Sequence, residues 1–565
     1  MTLLALILRF QGINFGLPYA ESRPDEMTLT GKALGYGTGD FNPHFFNYPS
    51  LFSYVLLLAY GVYIVFLVVL EAGHSLQEVM LRLAGDPSPL LVISRCLSAL
   101  AGAATVPVLF LLCRQVFSRW TAFAASMFLS VAYLHVRESH FGVTDALMTA
   151  FVAATVLFLM RIMKSGDRRD YLVAGVLAGL AASTKYNAVL LAVPAVVAHC
   201  LSPPRAGVSG SRRLADAKLW LMGVCMVAAF LVTSPFVLLD GGAFLRDFLF
   251  EVRHLAGEGE TAMDRGWIHH FKMSLWHGTS PLWLIAAGAG AVGASVKNRR
   301  AAAVLLCFPL LYYAAMGRGY TVFARYIVPV VPFVCLFAGA AIGEVFHPWM
   351  NRLTGRSVAA LASAALTAVL LATPLCRSLA WDRLLCQEDT RAQAVQFTEA
   401  HLPNGARLGW VGTRYGYPRF PETPESLGRQ LERARRERGG GRLLAASQEV
   451  ARRRGTGYNV AKLDVASLRA REDLPPHIWV EYYPLAYSLK AAAGAEDVLA
   501  ARGFRRVVEF SGASRDVLAG PAVKYDFQDS LYAPFAGFEG VQRLGPTLTL
   551  WTREEGPAGY AVPVR

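Results

Sequence analysis

The sequence has few charged residues for its length. Of its 565 residues, 17% are charged and 54% are hydrophobic, whereas a soluble protein carries about a quarter charged residues. This shortage excludes an ordinary soluble fold and indicates a polytopic membrane protein. The net charge is +14, but the basic residues fall in short runs between apolar segments, as cytoplasmic loops do under the positive-inside bias. We therefore predict no nucleic-acid partner.

Cysteine is absent beyond Cys386. Of the eight cysteines, six lie within or at the ends of apolar segments, and Cys376 and Cys386 flank the last one. The C-terminal part therefore has no disulfide framework. The sequence also lacks a metal-ligand Cys/His spacing, a Walker sequence and a Ser/His/Asp nucleophile motif. The first apolar segment, Met1–Tyr19, lacks a small-residue cleavage site, which favours a first spanning helix over a signal peptide.

Long apolar segments fill the rest of the first 376 residues, and most are long enough to cross a bilayer. We predict further spans at about 89–113, 119–137, 143–162, 170–184, 186–202, 218–237, 280–296, 301–317, 322–345 and 356–376.

The segment 51–70 decides the topology, because it is also apolar enough to span. If it lies along or dips into the outer face, the basic clusters near 114–119, 164–169, 205–218, 297–300 and 352–356 all face the cytoplasm. If it crosses, they all face outward. The charge pattern therefore favours eleven spans with the N-terminus inside and the C-terminus outside, and it places Asp25, Glu26 and Asp145 on the same outer face.

Charged residues become frequent from Arg377 onward, and β-like runs alternate with helical stretches. The predicted strands are Arg407–Val411, His477–Tyr483, Arg505–Phe510 and Thr547–Thr552, and the predicted helices are Thr390–His401, Gln430–Arg438 and Ala491–Arg502. We predict two domains: a mainly α membrane domain at 1–376, whose first outer loop is 20–88, and a soluble extracytoplasmic α/β domain at 377–565. The arginine-rich run Arg433–Arg442 is predicted to be a solvated loop.

Two adjacent carboxylates follow the first apolar segment. Asp25 and Glu26 come directly after Pro24 and before an aromatic loop, Asn42–Leu51. Carboxylates at the water face of a lipid-embedded protein suit a general base that acts on a polar acceptor. Alternatively, they are ordinary solvated loop charges.

Asp145 stands at the outer end of a predicted span. An ionisable group there is costly and usually faces protein or a water-filled cavity. The alternative is a helix N-terminal Asp that the macrodipole favours, with Thr144 as the cap.

Two cations also lie at the outer ends of spans. Lys185 and Arg325 have the chemistry to bind phosphate, but both are beside a Tyr, and snorkelling to the headgroup region explains that pattern equally. The outer loop 238–279 is long and mixed in charge, which is typical of a loop that covers a site or binds an acceptor.

Several short motifs occur in an order typical of one family. They are Pro24-Asp25-Glu26, Phe45 to Leu51, Arg137 to Asp145, Gly175 and Gly179 leading into Thr184-Lys185-Tyr186-Asn187, then Arg325-Tyr326 and Asp389-Thr390-Arg391. Over about residues 1–400 the chain resembles polytopic glycosyltransferases of the GT-C superfamily, most closely the family 39 and aminoarabinose-transferase-like group that uses polyprenyl-phosphate sugars.

The resemblance implies a role for each candidate residue. Asp25 would be the catalytic base, with Glu26 beside it and Asp145 as a second acid, and Lys185 and Arg325 would bind the donor phosphate. In or beside the same motifs lie the residues predicted to bind substrate: His44, Tyr48, His140 and Tyr186. Some GT-C enzymes use a divalent cation at the acidic motif. The sequence leaves this open, and Glu26 or Asp145 would then be a ligand.

We therefore expect a membrane glycosyltransferase that moves a sugar, with inversion, from a polyprenyl-phosphate donor to an acceptor hydroxyl. The acceptor is a glycan, a lipid or a protein, and the site faces outward from the cell membrane. A transporter or flippase of lipid-linked sugars is the alternative; it predicts inverted repeats and a charge at mid-membrane. A third hypothesis is a non-catalytic membrane scaffold whose tail binds a partner.

Overall fold

The structure is a computed structural model that describes residues 1–19, 23–70, 75–203, 210–257, 265–438, 442–526 and 532–553. Parts of five predicted segments lie outside these residues: 20–22 and 71–74 of the first outer loop, 205–209 of a basic loop, 258–264 of the loop 238–279, 439–441 of the arginine-rich run, and 527–531 and 554–565 of the C-terminal domain. The chain divides into two compact units. The first comprises Met1–Ile13, Thr28–Ala59 and Ile93–Asp382, and the second comprises Asn14–Met27, Tyr60–Val92 and Arg383–Arg565.

The chain up to Leu385 is helical. Its α-helices are α1 (Thr2–Phe10), α2 (Pro24–Tyr36), α3 (Leu51–Leu70), α4 (Leu76–Gly85), α5 (Ser88–Cys113), α6 (Arg119–Val131), α7 (Tyr133–Ser139), α8 (Thr144–Ser165), α9 (Arg168–Thr184), α10 (Ala192–Leu201), α11 (Ala217–Thr233), α12 (Phe236–Leu239), α13 (Gly241–Leu255), α14 (Gly266–His269), α15 (Trp276–Gly278), α16 (Pro281–Lys297), α17 (Arg299–Met316), α18 (Val331–Ala340), α19 (His347–Thr354) and α20 (Arg356–Leu385). Short 3-10 helices at Tyr186–Leu191, Gly210–Ala215 and Ala324–Val330 and π-helical turns at His270–Leu275 and Ala341–Phe346 connect some of them.

The predicted polytopic helical fold is confirmed, but fewer helices reach spanning length than the eleven predicted. Within the described residues six are long and apolar enough, or seven if the sharply bent pair Gly266–Gly278 and Pro281–Lys297 counts as one span. Five predicted spans are too short or broken. Met1–Tyr19 contains only the nine residues of α1, 119–137 breaks at Ala132 between α6 and α7, and 186–202 is divided between a 3-10 helix and α10. Helices α9 and α11 have 17 residues each. At 1.5 Å per residue such a helix covers about 26 Å, slightly less than the hydrocarbon core. The protein is a multi-pass membrane protein.

Helix α3 satisfies the same length and hydropathy criteria. Much of its surface is exposed and apolar, including Leu58, Val62 and Val69, as expected for a helix in contact with lipid. The interpretation that it does not cross, and with it the inside–outside orientation, stays a prediction.

Two glycines bring helices α9 and α11 close together. A Cβ on Gly175 would overlap the Met222 carbonyl oxygen, and one on Gly179 would overlap that of Met226. Small residues four apart let membrane helices approach to backbone contact. This packing fixes the end of α9, where Lys185 follows.

Arg9 of α1 donates hydrogen bonds to the carbonyl groups that are left unpaired at the break between α6 and α7. Its guanidinium donates to the Leu129 and Ser130 carbonyl oxygens at 3.1 Å each, and Nη2 lies 2.9 Å from His135 Nδ1. Arg9 is fully buried. Carbonyls freed at the end of a helix need such donors, and a positive charge there also complements the helix dipole.

The C-terminal part is an α/β domain, as predicted. Its five strands are β1 (Arg407–Val411), β2 (Asn459–Leu463), β3 (His477–Tyr482), β4 (Arg505–Phe510) and β5 (Thr547–Thr552). The sheet order is β2-β1-β3-β5-β4, parallel between β1 and both β2 and β3, and antiparallel where β5 pairs β3 and β4. The helices are α21 (Thr390–His401), α22 (Pro424–Arg438), α23 (Arg442–Arg454), α24 (Val465–Ala470), α25 (Ala486–Ala492), α26 (Ala495–Ala501) and α27 (Arg515–Leu518).

Apolar clusters cover both faces of this sheet. Trp410, Trp479 and Leu550 belong to one, and Val411 and Ile478 belong to the other. Neighbouring strand residues point to opposite faces, so the sheet is buried on both sides.

Candidate functional site

Lys185 and Asp145 form an ion pair in the first unit. Lys185 Nζ donates to Asp145 Oδ1 at 2.7 Å, and the two side chains are 14% and 4% exposed. Asp145 is in the first turn of α8, where the helix dipole favours a negative charge. The helix cap is Val143 without a side-chain bond, so the expectation that Thr144 caps α8 is wrong.

The backbone explains why Lys185 can reach this position. Helix α9 ends at Thr184, and Lys185 itself is extended, with φ −155° and ψ 128°, before the 3-10 helix Tyr186–Leu191. The backbone therefore leaves the helix at Lys185, and the Lys185 side chain reaches Asp145 at the start of α8. Its ammonium lies 5.0 Å from the ring centroid of Tyr326, within cation–π range.

Arg325 is next to that tyrosine in the 3-10 helix Ala324–Val330 and is 7% exposed. Its guanidinium stacks 4.4 Å from the Phe323 ring. Consecutive residues of one short helix thus provide a buried cation and a ring that contacts Lys185.

Asn187 and Tyr186 follow Lys185 and point to different neighbours. Asn187 Nδ2 donates to the Tyr312 hydroxyl at 2.8 Å. The Tyr186 ring packs against Phe244 and Phe248, at 5.9 and 5.5 Å between centroids. The Tyr186 hydroxyl is buried and makes no hydrogen bond within the described residues, and its predicted substrate contact stays a prediction.

Acidic side chains of the loop 238–279 hold the aromatic loop 42–51. Asp240 accepts from Asn42 Nδ2 at 2.9 Å, and Asp247 accepts from the Phe46 backbone N–H at 3.0 Å. Glu251 accepts from the Asn47 amide. The sequence indicated that the loop 238–279 has a site-related role but gave no pairing for these acids, because the partners are about 200 residues away.

The same aromatic loop carries two of the predicted substrate-binding residues. His44 has a left-handed backbone with φ +46°, and its Nε2 lies 2.9 Å from Asp40 Oδ2. Its side chain is 61% exposed and accessible to a ligand. The Tyr48 ring lies 6.1 Å from that of Phe45, which also faces the Lys32 ammonium. Burial lowers the pKa of Lys32, against the opposite effect of a nearby carboxylate.

Asp25 and Glu26 form the first turn of α2, directly after Pro24. Pro suits that position because it has no N–H to leave unpaired, and acidic side chains there complement the helix dipole. Glu26 is fully buried and Asp25 is half-buried, so they are not the solvated loop charges of the alternative interpretation. They belong to the second unit and Asp145 to the first, so the joint site predicted from the sequence stays a prediction.

His140 is fully buried. Its Nδ1 lies 3.0 Å from the Val136 carbonyl oxygen and its Nε2 lies 3.0 Å from that of Gln11. These contacts orient the segment ahead of α8 and favour a structural role. The predicted substrate contact is untested.

No group of three or more His, Cys, Asp or Glu side chains lies close enough to hold a metal ion within the part of the chain that the structure describes. The donors available at the described site suit phosphate and hydroxyl groups instead: a lysine, an arginine, an asparagine and a tyrosine hydroxyl.

Residues 73–238 match the sequence model of the family described as dolichyl-phosphate-mannose-protein mannosyltransferase. The matched stretch contains Asp145 and Lys185 and spans well under half of the chain. The matched family is one of glycosyltransferases that the description links to a lipid-phosphate sugar. The resemblance predicted from the motifs and the predicted enzyme class are thereby confirmed.

Solved structures give distant likenesses to this chain. ArnT from Cupriavidus metallidurans in the apo state is 14% identical, with 97% of this chain and 96% of that chain covered and a TM-score of 0.47. The oligosaccharyltransferase of Archaeoglobus fulgidus in the apo form is 11% identical, with 98% and 88% covered and a TM-score of 0.45. Arabinofuranosyltransferase AftD from Mycobacteria is 14% identical, with 99% and 41% covered and a TM-score of 0.43. No curated protein matches the sequence.

Proposed function

We propose that this protein transfers a sugar from a polyprenyl-phosphate donor to an acceptor hydroxyl at the outer face of the cell membrane, with inversion at the anomeric carbon. The observation that carries the proposal is the Lys185–Asp145 pair at the ends of two apolar helices. A largely buried ammonium beside a lipid-facing scaffold is costly to maintain, and a phosphate on a lipid carrier is a ligand that accounts for it. The family whose model matches is described by dolichyl-phosphate-mannose, a polyprenyl-phosphate sugar, which also supports this donor class.

Lys185 and Arg325 would bind the donor phosphate. A lysine ammonium has three N–H donors, of which Asp145 takes one, so two remain for phosphate oxygens. Arg325 adds a planar fork that matches phosphate geometry. Both would stabilise the negative charge that develops on the departing polyprenyl phosphate. Asp145 in this scheme orients Lys185.

Asp25 would act as the base. It takes the proton of the acceptor hydroxyl while that oxygen forms a bond to the anomeric carbon and the bond from that carbon to the phosphate oxygen breaks. Attack from the face opposite the leaving phosphate inverts the configuration. Glu26, buried beside it, would orient the base or the acceptor.

Tyr186, His44 and Tyr48 are proposed to bind the sugar and the acceptor. The Tyr186 hydroxyl and exposed His44 offer hydrogen bonds to sugar or acceptor hydroxyls, and Tyr48 offers a ring face. The acceptor is a glycan, a lipid or a protein. The donor chain stays in membrane lipid, which explains why the enzyme has a membrane fold. The outward orientation is supported by the one-sided distribution of basic loops.

A donor panel tests this function. Purified protein in lipid vesicles is offered polyprenyl-phosphate hexoses and pentoses with crude envelope extract as the acceptor source, and released polyprenyl phosphate is measured. We expect release from one donor and, by NMR, a product of opposite anomeric configuration. Retained configuration would contradict direct attack assisted by Asp25. No release from any donor, together with movement of an intact lipid-linked sugar between leaflets, would favour the transporter alternative.

A further inference from the structure

The carboxyl ends of strands β1 and β3 meet where the strand order of the sheet reverses. β1 lies between β2 and β3, so the chain leaves β1 to one side and returns through β3 on the other. Open α/β sheets bind their ligands at such points, beyond the carboxyl ends of the strands. In this sheet the chain's own Tyr532 lies there, and its hydroxyl donates to Glu481 Oε1 at 2.9 Å and lies 2.7 Å from Thr413 Oγ1.

A fully buried arginine adjoins this tyrosine. Arg391 donates to both carboxylate oxygens of Asp389, from Nε at 2.8 Å and from Nη2 at 2.6 Å, and from Nη1 to the Tyr415 carbonyl oxygen at 2.8 Å. Tyr415 is in the loop after β1. A bidentate pair with a third bond fixes both the position and the plane of the guanidinium.

The same guanidinium contacts the N-terminal part of the chain. Its carbon lies 5.5 Å from the ring centroids of both Tyr532 and Tyr19, and Tyr19 is 4% exposed. Tyr19 belongs to Asn14–Met27, which is in one compact unit with the C-terminal domain and which contains Asp25 and Glu26. Thus the arginine that is bound to the loop after β1, and that contacts Tyr532 at the strand ends, also contacts the segment that leads to the acidic motif.

We propose that Arg391 is a positioning residue: by holding Tyr19 it keeps Asp25, six residues further along the chain, in place for the reaction. This inference rests on the proposed function, because it assumes that Asp25 is the base. It also gives the C-terminal domain a role, which is to orient the acidic motif. Since a displacement of about 1 Å at a reacting group can cost about 100-fold in rate, a small loss of order here would be visible in kcat.

The alternative is that Arg391 only stabilises the C-terminal domain, and a second arginine provides the control. Arg515 makes the same kind of contacts, donating to both carboxylate oxygens of Glu496 at 2.8 and 3.0 Å and lying 4.5 Å from the Tyr482 ring. These partners all lie within the C-terminal domain. Arg515→Lys therefore removes a bidentate pair of the same geometry, more exposed than that of Arg391, whose partners do not include Tyr19.

The kinetic test compares four variants in the donor assay. We expect Tyr19→Leu and Arg391→Lys to lower kcat about 10- to 100-fold without raising KM for the donor. Tyr19→Phe keeps the ring face and should retain kcat within about twofold, as should Arg515→Lys. An equal loss of kcat in Tyr19→Phe and Tyr19→Leu, or in Arg515→Lys and Arg391→Lys, would overturn the proposal. The Tyr19 pair decides the matter if Arg391→Lys does not fold.

Hydrogen exchange separates this inference from the proposed function. The Glu26 amide donates to the Arg23 carbonyl oxygen at 3.0 Å, and exchange over residues 23–27 reports on this turn in the full-length protein. We expect faster exchange there in Tyr19→Leu and Arg391→Lys but not in Tyr19→Phe or Arg515→Lys. Unchanged exchange in Tyr19→Leu would refute the positioning role whether or not any donor is turned over. Altered exchange in a protein that transfers no sugar would refute the proposed reaction alone.

Discussion

Replacing Lys185 and replacing Asp145 should lower the free energy of unfolding by different amounts. Replacing Lys185 by Met leaves the Asp145 carboxylate, 4% exposed, without its cation. Loss of one partner from a buried pair costs about 3–5 kcal/mol of folding free energy. Asp145→Asn instead leaves the Lys185 ammonium beside the Tyr326 ring and keeps an amide oxygen as its acceptor, so the charged hydrogen bond is weakened, at a cost of about 1.5–3 kcal/mol.

The double variant shows whether the two residues act as a pair. In Lys185→Met with Asp145→Leu no charge stays buried, so the double change should cost less than Lys185→Met alone. The assay is unfolding in mixed micelles, titrated with denaturing detergent. Lys297→Met is the matched control, because Lys297 is 58% exposed and its partner Glu344 keeps bonds from Ser118 and Thr121; we expect a loss below about 1 kcal/mol. Costs that add in the double variant would refute the pairing.

Three further changes test other parts of the molecule. Gly179→Val should cost about 1–3 kcal/mol through overpacking, whereas Gly223→Val, which meets nothing within 4 Å, should be nearly neutral in the same unfolding titration; equal losses would contradict the close packing of α9 and α11. Asp247→Ala removes the acceptor of the Phe46 N–H and should speed hydrogen exchange at that amide, so unchanged exchange would contradict the view that Asp247 holds the aromatic loop 42–51. Burial raises the pKa of Glu481, so its contribution to stability is fully present below the unfolded pKa near about 4.3 and is lost as the pH rises through the folded pKa. Thermal unfolding between pH 4 and pH 8 should therefore show a decline in the wild type that is smaller in Glu481→Gln, and equal declines would refute it.

Local sequence signals predicted most of the C-terminal domain. All four predicted strands are present, and Thr390–His401 has the predicted bounds, since alternating apolar residues and an Asp before the first turn are local features. Strand β2 was missed because Asn459 and Lys462 weaken its apolar pattern. The predicted helix Ala491–Arg502 is two helices, because Gly494 between them adopts φ +74°.

The sequence predicted where helices occur in the membrane domain better than it predicted where each helix begins and ends. Apolar composition located them, but turns of 3-10 and π helix, such as Ala324–Val330, shorten or offset the α-helices. Such turns depend on packing with other helices and have no clear sequence signal.

For the site, the sequence predicted single residues but few partners. Asp145 and Lys185 were each identified from their place at the end of a span, yet their contact depends on how α8 and α9 pack. The same holds for Asp247 and Phe46, which are separated by 201 residues. Buried contacts of this kind follow from tertiary structure and cannot be deduced from residue spacing.

The most direct test of the central claim is the single-turnover rate of Asp25→Asn with the donor that the wild type uses. The assay measures release of polyprenyl phosphate in lipid vesicles, with Asp473→Asn, an 82% exposed carboxylate, as the control. Because a positioned base contributes about 10²- to 10⁴-fold, we predict a fall of that size for Asp25→Asn, with the rate of Asp473→Asn unchanged and both variants folded. An Asp25→Asn protein that releases polyprenyl phosphate at the wild-type rate would contradict the account.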